Sequence, residues 1–405
     1  MGLPSLFPSR ALAWLWTGQA AAAVGAEFYS VALIWTAADI LGTAAGYVPA
    51  IHAGVILAGA LVSGAFVDRW RRGSAMLMAD AMRATAVAVV ALAYSAGMLS
   101  GRALVAAAAL VALATAIFDP ALQASIPALV SDASARHRVN CLFDATKRMA
   151  RILAPAAIAL VASVVSKGMF FVVTGLAFLA SIATTIRVRA ELDRDHAEPA
   201  VVSLPSLARS LVAGMLAVRG RPIVAAALVG LIVSNFTWAA GMLLGMALYL
   251  RDTSSTPLGD FSLIMAAYGV GNLATTLCLS GREPKNPMYW LILSKLTFGL
   301  GICALPFAGN LPMAMALAAF AAINGPLENL TVLYLVQSQF EVERVAAVFR
   351  LVLCATYGGL FLAYVASPSL FTSFGLRPVI VAAGALSLGA GGVGVLLLGA
   401  RRSAA

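Results

Sequence analysis

The sequence predicts an all-α membrane protein with twelve transmembrane helices in two six-helix halves. Of its 405 residues, 61% are hydrophobic and 11% are charged, whereas a soluble domain is about 45–50% apolar and about 25% charged. The apolar residues form runs long enough to cross a bilayer, which takes about 20 residues per helix. Each run must be helical, because lipid offers no hydrogen-bond partner to backbone groups.

The apolar runs fall into two sets of six. The first set lies near residues 11–38, 46–67, 75–96, 103–126, 140–164 and 168–187. The second set lies near residues 222–250, 258–279, 288–308, 312–336, 346–370 and 378–399. We therefore expect an N-terminal half at 1–187, a cytoplasmic linker at 188–221 and a C-terminal half at 222–405. Within the linker, residues 204–218 show helical apolar spacing and are expected to lie on the membrane surface.

The distribution of lysine and arginine predicts the orientation in the membrane. The predicted external loops hold Arg102, Lys167, Arg251 and Arg377, whereas most of the remaining basic residues fall in the predicted cytoplasmic segments. Cytoplasmic loops carry the excess of basic residues, so both termini are expected on the cytoplasmic side of the inner or plasma membrane. These loops explain the net charge of +10, and no nucleic-acid partner is expected.

A short charged segment between the second and third runs carries a family resemblance. Residues 64–73 read GAFVDRWRRG, and such charges require a turn outside the hydrocarbon. The segment resembles the signature loop between helices 2 and 3 of the major facilitator superfamily, although many members have glycine in place of Arg71. The alternative is an ordinary positively charged cytoplasmic loop. The resemblance implies a gating role for Gly64, Asp68, Arg69 and Arg72. Asp80 and Arg83 are expected to join a charge network near this loop.

Residues 118–130, which read FDPALQASIPALV, narrow the resemblance. They are similar to the branch that contains the enterobactin exporter and related macrolide and multidrug efflux permeases. This branch implies proton-driven export by alternating access, first of a siderophore-like metallophore and second of amphipathic drugs. An importer and a non-transporting membrane receptor are the remaining alternatives. Drug–proton antiporters usually carry a glycine-rich stretch in the fifth span, where this chain reads APAA at 154–157.

Glu27 lies near the middle of the first run and is the first candidate for proton coupling. Gln19, Glu27 and Ser30 share one helical face by their spacing, and we expect Gln19 and Ser30 to line the substrate cavity. Burial disfavours the charged form of a carboxyl group, so a carboxyl group at this depth is suited to binding and releasing a proton. The alternative is a structural hydrogen bond to a neighbouring helix.

Arg151 is a candidate for contact with an anionic substrate group. It continues a stripe that begins with Asp144 and Arg148, and those two residues are spaced to pair on one helical face. The alternative, which the sequence favours, places the stripe in a cytoplasmic charge network with Asp119 and Arg136.

Glu328 in the tenth run is the second candidate for proton coupling, with Asn324 on its helical face as a candidate cavity residue. The alternative is a polar cluster that packs helices together. Lys295 of the ninth run is expected either to pair with Glu328 or to extend towards the cytoplasmic interface. The second arrangement is the preferred prediction.

Four further polar or aromatic residues could line a cavity in the second half. They lie at helical spacing in the seventh and eighth runs and are Asn235, Trp238, Tyr268 and Asn272. Polar residues also hold helices together without touching a substrate, and this alternative stays open.

The motifs of enzymes and metal sites are missing from the sequence. It contains no phosphate-binding GxxxxGK[ST], no nucleophile elbow and no metal-ligand spacing, and its four cysteines show no paired spacing. We therefore expect no enzymatic activity and no cofactor. The expected partners are a small-molecule substrate, protons and the lipid bilayer, and the protein is expected to be a monomer.

Overall fold

The computed structural model describes residues 9–66, 71–130, 132–193, 204–279, 282 and 284–403, and these residues contain helices and no strand. The first seven helices are α1 (Arg10–Leu41), α2 (Tyr47–Phe66), α3 (Arg72–Ser95), α4 (Gly101–Leu129), α5 (Ala133–Val161), α6 (Lys167–Leu192) and α7 (Leu204–Val218). The others are α8 (Pro222–Thr237), α9 (Met246–Thr253), α10 (Pro257–Leu279), α11 (Pro287–Ala304), α12 (Leu311–Ala321), α13 (Asn324–Gln339), α14 (Val342–Phe374) and α15 (Leu376–Ser403).

Twelve membrane spans can be assigned within the described residues. Ten ranges are long and apolar enough to cross a membrane. The first of them, Arg10–Gly59, includes both α1 and most of α2, and α5 is outside the ten because of its charges. Separating α1 from α2 and adding α5 brings the number to twelve. The protein is therefore an integral membrane protein, and the all-α prediction is confirmed.

The seventh and tenth spans are interrupted helices. The seventh span consists of α8, a π-helical segment Trp238–Gly245 and α9. The tenth consists of α12 and α13, which follow each other closely along the chain. A π-helical segment widens the helix locally and is often found at functional sites.

Side-chain caps define several helix starts. Ser100 accepts a hydrogen bond from the Ala103 N–H at the start of α4, and Asp132 accepts one from the Ala135 N–H at the start of α5. Asn310 caps α12 in the same way. Each cap satisfies a backbone donor that the first helical turn leaves without an internal partner.

The contacts divide the chain into two compact units. The first contains described residues of 1–36 and 58–207, and the second contains residues 37–57 together with those of 208–405. The predicted boundaries at 187 and 221 stay a prediction. Residues 194–203 of the predicted linker lie outside the described residues, but its later part forms α7 as expected.

In the first unit, α3 packs against α4 and α6. Its core is apolar and includes Leu15, Met76, Phe118 and Leu122, all almost completely buried. In the second unit, α11 packs closely against α15. A Cβ on Gly384 would lie 2.7 Å from the backbone nitrogen of Cys303, so the absence of a side chain there permits the close packing that spans use in lipid.

Candidate functional site

The predicted gating loop is described in part. Gly64 lies in the last turns of α2, and Arg72 is the first residue of α3. Asp68 and Arg69 lie outside the described residues. The gating role of all four residues therefore stays a prediction.

Asp193 ties the start of α3 to the end of α6. One carboxylate oxygen accepts a hydrogen bond from the Gly73 N–H at 2.8 Å, and the other accepts one from the Ser74 hydroxyl at 3.1 Å. Arg189 donates to the same hydroxyl at 3.0 Å. An acid is favourable at a helix N-terminus. The sequence does not predict this contact, because Asp193 lies within the predicted linker at 188–221.

Glu27 of α1 forms an ion pair with Arg151 of α5 in the first unit. The Arg151 Nε lies 3.5 Å from the Glu27 Oε1, and the side chains are 65% and 29% exposed respectively. Nearer the start of both helices, the Trp16 indole N–H donates to the Thr146 hydroxyl at 2.9 Å. Arg151 therefore meets the candidate coupling residue, and not the predicted network with Asp119 and Arg136.

The backbone beside Glu27 is held firmly against α6. The Thr174 hydroxyl donates to the Gly25 carbonyl oxygen at 3.0 Å, and a Cβ on Gly25 would lie 2.5 Å from the Ala177 Cβ. This close approach fixes the depth and direction of Glu27 on α1. In the sequence, Gly25 is the residue that indicates this close packing of α1 against α6, since only a residue without a side chain permits the contact.

The other two residues predicted on the Glu27 face have different surroundings. The Gln19 amide donates to the Ser181 hydroxyl of α6 at 3.2 Å, and Ser30 is half-buried. On α5, Arg148 pairs with Asp144 at 2.7 Å, which confirms that predicted pair. The structure thus brings Glu27 to α5 and Gln19 to α6.

A buried ion pair within α3 was not predicted. Asp80 and Arg83 are both buried, with 3.2 Å between Oδ1 and Nη1. The guanidinium carbon lies 4.3 Å from the centre of the Phe118 ring and 5.5 Å from that of Phe178. Within the described residues, Asp80 Oδ2 and Arg83 Nε and Nη2 have no hydrogen-bond partner. The two residues pair with each other, and the charge of Asp119 in α4 acts on both of them. Their expected place in a network near the loop stays a prediction.

The second unit contains a buried cluster around Lys295. Its ammonium group donates to the Gly230 carbonyl oxygen at 2.8 Å, to the Ser234 hydroxyl and to Glu328 Oε1. The Lys295 and Glu328 side chains are 4% and 3% exposed. The prediction that Lys295 extends to the cytoplasmic interface is wrong, because three acceptors surround its ammonium group in the interior.

The cluster joins three helices and leaves little room. Asn324 is buried and accepts a hydrogen bond from Ser234 at 3.4 Å. A Cβ on Gly230 would lie 3.0 Å from Lys295 Cε and 3.2 Å from Glu328 Oε1. Lys295, Glu328 and Asn324 thus belong to one polar cluster between α8, α11 and α13.

An aromatic pair lies beside the π-helical segment. The Trp238 and Tyr268 rings are 4.5 Å apart between centroids and tilted by 44°, and both residues are half-buried. Asn235 donates to the Leu231 carbonyl oxygen of its own helix at 2.8 Å, and Asn272 lies against Gly325 of α13. Two of the four predicted cavity residues therefore contact each other directly.

No group of three or more His, Cys, Asp or Glu side chains among the described residues could hold a metal ion. The candidate functional groups are therefore the ion pairs and the Trp238–Tyr268 pair.

Comparison with known proteins places this helical architecture in a family. The sequence model of the Major Facilitator Superfamily matches residues 15–282. A search of curated proteins found no match.

Solved structures resemble the chain over nearly its whole length. One is a POT family transporter in complex with a thioalcohol-conjugated peptide, with a TM-score of 0.77, 9% identity, and 97% and 96% of the two chains covered. A second is a POT family transporter in complex with 5-aminolevulinic acid, with a TM-score of 0.76, 10% identity and 96% of each chain covered. A third is the peptide transporter POT in complex with sulfate, with a TM-score of 0.72 and 12% identity. The match covers 96% of this chain and 94% of that chain. Identities this low show the shared fold alone. Because the family model matches more than half of the sequence, the chain belongs to the Major Facilitator Superfamily and is a membrane transporter.

Proposed function

We propose that the protein exports a small organic molecule across the inner or plasma membrane by alternating access, driven by the proton gradient. The observation that carries this proposal is the Glu27–Arg151 ion pair. A coupling carboxylate must be reachable from water, and it must interact with another group so that its protonation has a consequence. Glu27 is 29% exposed and has an arginine 3.5 Å away, so it meets both requirements.

Glu328 is less suited to carrying a transported proton. Its side chain is 3% exposed and pairs with Lys295, whose ammonium group also binds Gly230 and Ser234. Removing a partner from such a buried pair is strongly unfavourable. We therefore assign proton coupling to Glu27 and a structural role to Glu328.

A siderophore-like metallophore is the first proposed substrate. The loop at 64–73 and the stretch at 118–130 support it through their resemblance to the branch with the enterobactin exporter. Amphipathic drugs such as macrolides are the second candidate. The half-buried Trp238–Tyr268 pair supports ligands that carry an aromatic ring, such as a catecholate siderophore or an aromatic drug, because aromatic rings stack on one another. Import of the substrate and a receptor without transport are the remaining alternatives. We further propose a monomer with both termini in the cytoplasm.

Transport in proteoliposomes tests the proposal. With an imposed pH difference, the wild type is expected to concentrate an iron-free catecholate siderophore. Glu27→Gln is expected to lose this uphill transport and to retain counterflow exchange, because binding persists while coupling is lost. Asp144→Asn is the matched control, since Asp144 is an exposed acid that pairs with Arg148, and it should retain both activities. If Glu27→Gln still concentrates the siderophore, Glu27 is not the coupling residue.

A further inference from the structure

We infer that α7 binds anionic phospholipid at the membrane surface, with its exposed apolar face among the acyl chains and Arg219 on a lipid phosphate group. This lipid site is separate from the proposed substrate path and does not depend on proton coupling. It requires only that the protein spans a membrane, which its long apolar helices establish.

The length of α7 indicates that it lies on the membrane and does not cross it. Its 15 residues, Leu204–Val218, extend about 22 Å as a helix, which is shorter than the hydrocarbon core of about 30 Å. The seventh span begins at Pro222, four positions after α7 ends. The end of α7 is therefore close to the membrane boundary.

A second contact holds α7 at the same boundary. A Cβ on Gly214 would lie 2.8 Å from the Ala347 carbonyl oxygen of α14, and Ala347 is the first residue of the apolar range that forms the eleventh span. Val218 is buried in the same apolar core as Val348 of α14. The starts of the seventh and eleventh spans therefore both fix α7 at the membrane interface.

The opposite face of α7 is apolar and exposed. Val212, Met215 and Leu216 are 48%, 55% and 59% exposed, and Arg219 continues the same helical face by its spacing. Such exposure is normal on a span, where lipid covers the side chains, but α7 is too short to be a span. An interfacial helix with this pattern buries its apolar face at the boundary between headgroups and acyl chains. The lipid around the two neighbouring spans is therefore the occupant of this face.

The charge of this segment favours anionic over neutral lipid. Residues 204–222 contain three arginines and no acid. At the start of α14, Glu341 is paired with Arg344 at 3.8 Å. Arg219 is exposed and forms no ion pair with another residue of the described part of the chain. Its positive charge is therefore available to a lipid headgroup, and basic residues beside a membrane attract anionic lipids.

Arg219 is better placed than Arg221 to bind a phosphate group. Gly220 has a φ of +89°, a left-handed conformation that ends α7 and turns the chain towards α8. Arg221 follows this turn and is half-buried, with its guanidinium carbon 4.1 Å from the centre of the Phe340 ring. Arg219 stays at the end of the exposed face of α7. Its guanidinium group offers N–H donors in a planar fork that matches the oxygens of a phosphate group.

Amide hydrogen exchange of α7 in the full chain tests this inference. The protein is placed, one copy per disc, in nanodiscs of phosphatidylcholine with increasing phosphatidylglycerol. We expect exchange of the amides of residues 211–218 to slow as the anionic lipid increases. Arg219→Gln should need about fivefold more phosphatidylglycerol for the same protection, the contribution of one basic residue near an anionic surface. Leu216→Gln should exchange faster in both lipids, because it weakens the apolar contact whatever the headgroup.

Arg102→Gln is the matched control for the loss of a charge. Arg102 is an exposed arginine at the start of α4 in the first unit, so this variant should respond to phosphatidylglycerol as the wild type does. Dissolved glycerol phosphate, which carries the phosphate without the acyl chains, should not protect α7.

Four results would overturn the lipid site. The first is equal exchange of α7 in the two lipids, and the second is an unchanged response of Arg219→Gln. Protection by dissolved glycerol phosphate would assign the site to a free phosphate. Protection only in discs that hold two copies would assign the apolar face to a second chain. None of these results affects the proposed export, which the Glu27→Gln transport experiment tests separately.

Discussion

Each of the two units buries an ion pair, and the two pairs differ in how they are hydrogen-bonded. Lys295 and Glu328 lie on different helices, and the ammonium group also binds Gly230 and Ser234 of a third helix. Asp80 and Arg83 lie one turn apart on α3. Three of their polar atoms have no hydrogen-bond partner among the described residues, and two aromatic rings surround the guanidinium group.

The difference indicates two ways of using buried charge. The Lys295 cluster joins three helices through directional hydrogen bonds, so it specifies how α8, α11 and α13 pack. The Asp80–Arg83 pair cannot join helices by its own ion pair, because both residues belong to α3. Arg83 instead contacts α4 and α6 through the faces of Phe118 and Phe178, which is a less directional interaction. Displacing the charged groups of the ion pair should therefore lower the free energy of unfolding more in the second unit than in the first.

Breaking the second unit's pair should have the largest effect. Lys295→Met leaves Glu328 buried without its cation, and removing one partner of such a pair typically costs about 3–5 kcal/mol. We expect that loss in the free energy of unfolding, measured by denaturant titration in detergent micelles. The double variant Lys295→Met/Glu328→Met should recover most of it. A single variant within about 0.5 kcal/mol of the wild type, the range of neutral surface changes, would refute the assigned structural role.

Filling the space beside the cluster should have a smaller effect. The Cβ of Gly230→Ala would meet Lys295 Cε at 3.0 Å and Glu328 Oε1 at 3.2 Å, so the pair must shift. Overpacking of this kind costs about 1–3 kcal/mol. Gly358→Ala is the control in the same unit, because a Cβ there meets no atom within 4 Å. That control should be neutral or slightly stabilising in the same unfolding measurement. Equal stabilities of the two variants would show that the cluster tolerates displacement.

Exchanging the cation in the first unit should have the smallest effect. Arg83→Lys keeps a positive charge beside Asp80 but loses the guanidinium plane over Phe118. We expect a loss of about 0.5–2 kcal/mol, the range of a cation–π contact, in the free energy of unfolding. If Arg83→Lys lowered the free energy of unfolding as much as Lys295→Met, the geometry of the two ion pairs would be equally important for stability.

The spans could be predicted from the sequence because hydropathy is a local property. Each predicted run contains a helix, and even α5 was identified despite four charged residues between 144 and 151. The helices extend beyond the apolar runs, as α4 does to Leu129 and α6 to Leu192. In α6 the added residues include Arg189 and Glu191, which continue the helix where hydropathy no longer marks it, whereas the added residues of α4 are Pro127, Ala128 and Leu129.

The partners of the polar residues could be predicted only in part, because most depend on contacts between distant helices. The Asp144–Arg148 pair within one helix was predicted, whereas the Lys295–Glu328 pair was the less favoured of two arrangements. Lys295 binds Gly230, 65 positions away, and Glu328, 33 positions away. The Glu27–Arg151 pair likewise joins the first and fifth spans. The π-helical segment at Trp238 has no compositional signal, since it contains the same small and apolar residues as its flanking helices.

The charges of α5 have a consequence for membrane insertion during synthesis. A charged residue near the centre of a helix costs about 2.5–3.5 kcal/mol on entering the bilayer from the translocon, and α5 carries Arg151 well inside its length. This helix is therefore poorly suited to leaving the translocon by itself. Glu27 belongs to a span that is synthesised earlier and is already in the bilayer when α5 emerges. The Glu27–Arg151 ion pair thus favours insertion of α5 beside α1. Assembly of the first unit would then begin while the ribosome is still translating the chain.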